Sequence, residues 1–253
     1  MIIIGDLEEN FKREISKIDE SYDGLVIQVG DAQIIYQDNN IEKELLDWLE
    51  KKNYTFVTVG GNHDNYKRIW QYPLVDFCGS KAFQIRKNIY YLLRGAVYEF
   101  EGKKCFCIGG AISHNIEQGY VDIEKGNVKE QFLGLMAKGR SKFRIKDINW
   151  FAEEEPSKIE MNNGLKALAE KQMEVDYIFT HTAPSEILKK VCNLGGEANE
   201  KRSADRPDIT DFTEYLQMIY QKVKFNKWFC GHLHRSYTNG KITVLGSGEI
   251  DYE

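Results

Sequence analysis

Short apolar runs rich in β-branched residues recur along the first part of the chain, separated by stretches of helical period. The runs at residues 2–4, 25–29 and 55–59 are short, bounded by glycine or polar residues, and predict strands. Between the first two, Phe11, Ile15 and Ile18 share one face of a helix. Before the third, Ile41, Leu45, Leu46 and Trp48 or Leu49 do the same. Strand, helix, strand in that rhythm predicts a parallel sheet. From Phe83 to Gly110 the pattern changes to successive strands with a turn at Glu101-Gly102-Lys103, which predicts an antiparallel meander. A polar segment over about 117–163 reads as an inserted cap or helical excursion. The α/β rhythm returns with a strand at Val175–Thr180, a helix near Ile209–Val223, a strand at Lys227–Cys230 and a final hairpin turning at Asn239-Gly240. No repeat, low-complexity tract or linker interrupts this, so residues 1–253 are expected to form a single α/β domain carrying the insert.

Composition narrows the picture. A hydrophobic content of 42% supplies a substantial core for 253 residues. A net charge of −5, from 34 basic and 39 acidic side chains, gives no broad attraction to nucleic acid or anionic membrane. No stretch approaches the roughly 18 apolar residues of a membrane span, and the amino-terminal apolar run is too short for a secretion signal. The expected location is the cytoplasm. Five cysteines, an odd number lying mostly in apolar runs, fit reduced, buried thiols better than a disulfide framework. Cys105 and Cys107 occupy alternate positions of one strand and are not expected to clip a metal.

The polar residues fall in a telling place. Each apolar run ends in a cluster of glycine, acid, amide or histidine: Gly5-Asp6, Gly30-Asp31, Gly61-Asn62-His63-Asp64, the glycines before His114, His181 after Thr180, and Gly231-His232-Leu233-His234. Residues at the carboxyl ends of strands in an open α/β sheet converge on one crevice. A lone histidine there is ordinary, but all five histidines of the chain occupy such ends. Imidazole, carboxylate and amide donors without a placed thiolate suit a borderline divalent ion such as manganese, iron or zinc. The donors outnumber the needs of one ion. Two ions roughly 3.5–4 Å apart, sharing one carboxylate, clamp an oxyanion and acidify a water.

The ordered set of Gly-Asp, Gly-Asp, Gly-Asn-His-Asp, His-Thr-Ala-Pro and Gly-His-Leu-His, spread from residue 6 to residue 234, resembles the calcineurin-like metallophosphoesterase family. The resemblance implies a four-layer α/β/β/α sandwich of two mixed sheets flanked by helices. It further implies hydrolysis of phosphate esters at a dinuclear metal centre, by attack of a metal-bridging water or hydroxide. Carried over, Asp31 is the bridging ligand, Asp6 and His234 bind one ion, and Asn62, His181 and His232 bind the other. His63 faces the substrate, stabilising phosphoryl oxygens and protonating the leaving group, and Asp64 orients its ring. His232 and His234, alternate residues leaving a strand end, would each address a different ion, with Gly231 permitting close backbone approach. Two departures stand out. Glu8 occupies the position where the family has histidine, and Gln33 replaces a common acid in the second motif. Glu8 reads as a replacement metal ligand, or else as an acid in the first turn of a helix. An added carboxylate favours manganese over zinc.

Substrate class is less legible. Phosphomonoesters, as small phosphorylated molecules or phosphoproteins, are the expected substrates. Diesters, either cyclic nucleotides or nucleic acid, are the alternative, and the charge balance argues against long nucleic acid. A non-catalytic metal-binding scaffold would have no need for so many convergent imidazoles. His114 reads either as a substrate-facing group or as a loop histidine. Arg86, Arg94, Arg140, Arg144 and Arg235 are available cations, and Trp150 and Phe151 are expected to pack the insert onto the sandwich. The oligomeric state is not encoded in any of these features.

Overall fold

In the computed structural model, which describes residues 1–7, 10–114, 116–140, 142–193 and 207–253, the early apolar runs form strands. β1 (Ile2–Ile4), β2 (Leu25–Gln28) and β3 (Thr55–Thr58) pair in parallel, with α1 (Phe11–Ile15) and α2 (Asn40–Glu50) between them. After α3 (Tyr66–Ile69) come β4 (Leu74–Phe77), β5 (Ser80–Arg86) and β6 (Ile89–Leu92). Of these, β6 runs parallel to β3, and β5 lies between β6 and β4, antiparallel to both. A second sheet is built from β7 (Ala96–Phe100) and β8 (Lys103–Ile108) together with later strands. Between β8 and those strands the chain forms β9 (Tyr120–Val121), α4 (Val128–Ala137), β10 (Arg144–Ile145) and α5 (Lys158–Glu170). It returns as β11 (Tyr177–Thr180), α6 (Ser185–Asn193), α7 (Asp211–Lys222), β12 (Lys227–Cys230), β13 (Tyr237–Thr238) and β14 (Ile242–Val244). Finally β15 (Ile250–Tyr252) closes antiparallel onto β1. Among the described residues the first sheet runs β15-β1-β2-β3-β6-β5-β4 and the second β13-β14-β12-β11-β8-β7.

Alternation along each strand creates the layers. Ile2 and Ile4 face out from the first sheet onto Phe11, Ile15, Leu46 and Leu49 of α1 and α2. Ile3 and Ile27 point the other way, into a middle layer shared with Cys105, Cys107, Phe179 and Phe229 of the second sheet. The opposite face of that second sheet carries Phe106, Ile178 and Trp228, covered by Leu168 of α5, Ile187 and Val191 of α6 and Leu216 and Ile219 of α7. The result is the expected α/β/β/α sandwich of two mixed sheets. Each fully buried side chain of this size contributes about 1.5–3 kcal/mol. No helix among the described residues is long and apolar enough to cross a membrane.

Three expectations need correction. The strands from Phe83 to Gly110 are not one meander. β5 and β6 pair antiparallel in the first sheet, and β7 and β8 in the second, with Glu101 and Gly102 both at positive φ in their turn. Between β6 and β7 the chain crosses sheets at Gly95, where a side chain would strike the backbone of α5 at Glu160 and Gly164. Ile41 does not face the core but is 76% exposed. The inward place in the first turn of α2 belongs to Glu42, whose carboxylate takes two 2.7 Å hydrogen bonds from the Arg68 guanidinium and others from the Tyr36 and Gln37 amides. Four of the five thiols are buried, but Cys78 is exposed, in the turn joining β4 to β5.

The segment after β8 is fastened to the sandwich at named points. The Arg94 guanidinium lies over the Tyr66 ring, 3.6 Å from its centre, and donates to the carbonyls of Glu154 and Glu155 at 3.0 and 3.3 Å. Buried Phe151 meets Tyr36 edge-on at 5.9 Å, while Trp150 packs within the segment against Tyr120. Lys67 pairs with Asp147 at 2.8 Å.

Candidate metal centre

The parallel strands β1, β2, β3, β8, β11 and β12 all deliver their carboxyl ends to one side. Three of the residues that follow them, Asp31, His232 and His234, have left-handed backbone at φ 58, 68 and 51. Such conformations cost about 1–3 kcal/mol each in a residue with a side chain, and persist only where the surroundings dictate them. For Asp31, Asp64 supplies that constraint. Fully buried, its carboxylate accepts from the Gly61, Asp31 and Gln33 amides at 2.7, 3.2 and 2.9 Å and from the Tyr91 hydroxyl at 2.8 Å. None of these donors is the His63 ring, so Asp64 organises the loops after β2 and β3 rather than orienting that imidazole. Burial, reinforced by the nearby Asp31 charge, pushes its carboxyl up to about 6.

Glycines open the space. A side chain at Gly30 would strike the His181 ring, and one at Gly231 would strike the Asp6 carboxylate. Asp6 thereby receives the His232 backbone amide on both oxygens at 3.0 Å, and its Oδ2 lies 3.1 Å from His234 Nε2. Asp31 accepts the His63 amide at 2.7 Å on one oxygen and stands 3.2 Å from His181 Nε2 with the other. His181 Nε2 is also 3.1 Å from Asn62 Oδ1, while its Nδ1 donates to the Val29 carbonyl at 2.8 Å. The backbone therefore fixes the ring so that Nε2 faces the acids, the arrangement a metal-binding imidazole needs.

Candidate ligand atoms of Asp31, His181 and His232, all buried, lie within 4.8 Å of one another. The His181 and His232 rings are 5.0 Å apart. Their protonation diverges accordingly. Burial acts to lower His181, but the Asp31 and Asp6 carboxylates outweigh it and raise the imidazole to about 9. Burial, then the neighbouring His181 and His114, drive His232 well below the usual range, so it is neutral with a lone pair to offer. Burial also acts to raise Asp31, but the positive charge at His181 and His63 prevails and holds it well below the usual carboxylate range. His232 Nε2, in a residue 5% exposed, has no hydrogen-bond partner among the described residues. A buried nitrogen lone pair without a donor, beside carboxylate, amide and a second imidazole, fits a divalent cation. Asp6, with His234 at its Oδ2, adjoins this cluster, its Oδ1 lying 3.9 Å from His181 Nδ1.

The expected site residues Asp6, Asp31, Asn62, His181, His232 and His234 are thus brought together, with half-buried His63 held beside Asp31 through its backbone. Glu8 lies outside the described residues. His114 stacks on His232 at 4.8 Å, and its Nδ1 is 2.8 Å from Asp208 Oδ2, at ion-pair distance but not aligned as a hydrogen bond. Of the arginines, Arg144 donates to the His114 carbonyl at 3.2 Å, beside the site. Arg94 is committed to the insert, and Arg86 to Asp47 and Glu50. Asp208, Ser113 and Glu154 were not singled out from the sequence. Ser113 donates to Glu154 at 2.5 Å and accepts from Asn62 Nδ2 at 3.2 Å.

The calcineurin-like phosphoesterase family model matches residues 2–236, while no curated protein matches the chain. The chain belongs to the calcineurin-like phosphoesterase family and is a metal-dependent phosphoric ester hydrolase.

Proposed function

We propose that the enzyme hydrolyses phosphomonoesters, on small molecules or phosphoproteins, at a centre for two divalent ions, with manganese favoured. The observation that carries this reading is the buried Asp31–His181–His232 cluster with its unpartnered His232 nitrogen. Asp31 is the shared ligand, Asn62, His181 and His232 serve one ion, and Asp6, His234 and, from the sequence alone, Glu8 serve the other. Ions held there supply Lewis acidity toward phosphoryl oxygens and a water acidified for attack.

The protein's own residues do the rest. His63, beside the bridging carboxylate, neutralises phosphoryl charge and delivers a proton to the leaving oxygen. Arg144, whose guanidinium donates to the His114 carbonyl beside the site, is a cation available to a dianionic ester. The proposal keeps one domain over residues 1–253 with a cap over about 117–163, and it puts the enzyme in the cytoplasm, a location with which the free thiols accord.

A panel of chromogenic monoesters and diesters, run with manganese, iron, zinc and magnesium, tests the proposal. Metal-dependent turnover of nitrophenyl phosphate well above that of bis-nitrophenyl phosphate is expected. Turnover of the diester alone would transfer the enzyme to the diesterases, and turnover of neither with any metal would favour a scaffold.

A further inference from the structure

The side chain of Asn62 has two ends of nearly equal shape and opposite polarity, and only its oxygen can ligate a cation. Something must hold that oxygen inward. Nδ2 of Asn62 donates to Ser113 Oγ at 3.2 Å, and Ser113 Oγ donates to Glu154 Oε2 at 2.5 Å. Asn62, Ser113 and Glu154 are 2%, 2% and 5% exposed, so bulk water offers little competition for these bonds. A hydroxyl has one proton and a carboxylate only accepts. With its one proton spent on Glu154, Ser113 can only accept from Asn62. The amide nitrogen is thereby committed to Ser113, and Oδ1 is turned toward His181 and the metal centre.

We propose that Glu154, acting through Ser113, is a positioning residue that sets the orientation of the Asn62 amide and so the metal affinity of that lobe. The inference rests on the reading of Asn62 as a ligand. Glu154 is itself clamped from several sides. Its carbonyl accepts from the Ala111 amide at 3.2 Å and from Arg94 at 3.0 Å, and its amide donates to the Phe151 carbonyl at 3.1 Å. A segment whose described residues supply no candidate ligand therefore extends a fixed acid toward the centre. Burial, only partly offset by the Ser113 hydroxyl, pushes the Glu154 carboxyl up to about 7, which marks how unfavourable this place is for a charge without a task.

The test is manganese titration by calorimetry of the chelator-stripped full chain, comparing wild type with Ser113→Ala, Glu154→Gln, their double variant and Asn62→Ala. Ser113→Ala and Glu154→Gln should each weaken one of the two ions by about 10–100-fold, the usual reach of an outer-shell partner, and leave the other unchanged. The double variant should be no worse than Ser113→Ala, because both break one chain of bonds. Circular dichroism melts of the stripped variants confirm that they remain folded, and Glu154→Gln, which keeps the buried volume, stands in if Ser113→Ala does not. If Asn62→Ala loses one ion while Ser113→Ala and Glu154→Gln bind both as wild type, the relay is wrong and the ligand assignment stands. If Asn62→Ala itself binds both ions normally, the ligand assignment falls and the relay with it. Equal weakening of both ions in the folded variants would make the contact merely structural and overturn the proposal.

Discussion

His232 donates its backbone amide to both carboxylate oxygens of Asp6 at 3.0 Å, joining the end of β12 to the end of β1 across 226 residues of sequence. The first sheet thus holds its acid in place with the backbone of the second. The His232 imidazole is left to the cluster with His181 and Asp31.

That contact depends on Gly231, since a Cβ there would strike Asp6 Oδ1. Gly231→Ala is expected to displace the Asp6 carboxylate, lower stability by about 1–3 kcal/mol as overpacking does, and remove at least one ion. Calorimetric melting and elemental analysis check this. Gly240→Ala, at a hairpin glycine whose added Cβ would meet nothing within 4 Å but whose φ of 86 strains a side chain, is the control; it should lose some stability yet keep its metal, and equal metal loss in both variants would count against the Asp6 account.

His63 is tied to the centre through its amide, not through a shared ligand atom. His63→Ala should keep its metal while turnover falls by about 10²–10⁴, the usual contribution of a positioned acid. The loss should shrink for nitrophenyl esters, whose leaving group needs no proton. Equal losses on activated and unactivated esters would remove the proton-delivery role.

His181 gives a pH signature. Its metal-free imidazole is raised to about 9 by carboxylates that outweigh burial, so it is protonated at neutral pH. Because its folded value exceeds the ordinary one near 6.5, its stabilising contribution is complete below about 6.5 and is lost as pH rises through about 9. A cation must displace that proton. Apparent manganese affinity should therefore rise by about tenfold per pH unit up to about 9 and then level. Calorimetry in buffers of different ionisation enthalpy should show proton release, and affinity flat from pH 6 to 9 would refute the competition.

Glu8 is judged by sequence position alone. If it is a ligand with Asp6 and His234, Glu8→Ala weakens one ion selectively and gives a biphasic titration. Glu8→His restores binding and moves the rise of the rate profile to lower pH. Unchanged affinity in Glu8→Ala would leave it a helix-start acid.

What was legible in the chain was what is locally encoded. Strand runs punctuated by Gly-Asp or Gly-His announce themselves, because period and breaker residues lie within a few positions of each other, and so Asp6, Asp31, Asn62, His181 and His232 were found. Ile41 misled because the inward place on α2 was claimed by Glu42 for the sake of Arg68, 26 residues away. The crossing at Gly95 reads locally like any hairpin turn, since sheet membership is decided by distant partners. Glu154 stands in an acidic run that reads as solvated surface. Arg94 and Phe151 fix its backbone, and its carboxylate is buried against Ser113, which Asn62 in turn contacts.

A centre for two ions sharing Asp31 is decided by metal content. Wild-type protein reconstituted with manganese should hold close to two ions per chain by elemental analysis, and Asp31→Asn should lose most of both while remaining folded. Retention of both ions by Asp31→Asn, or the absence of bound metal in reconstituted wild type, would contradict the account.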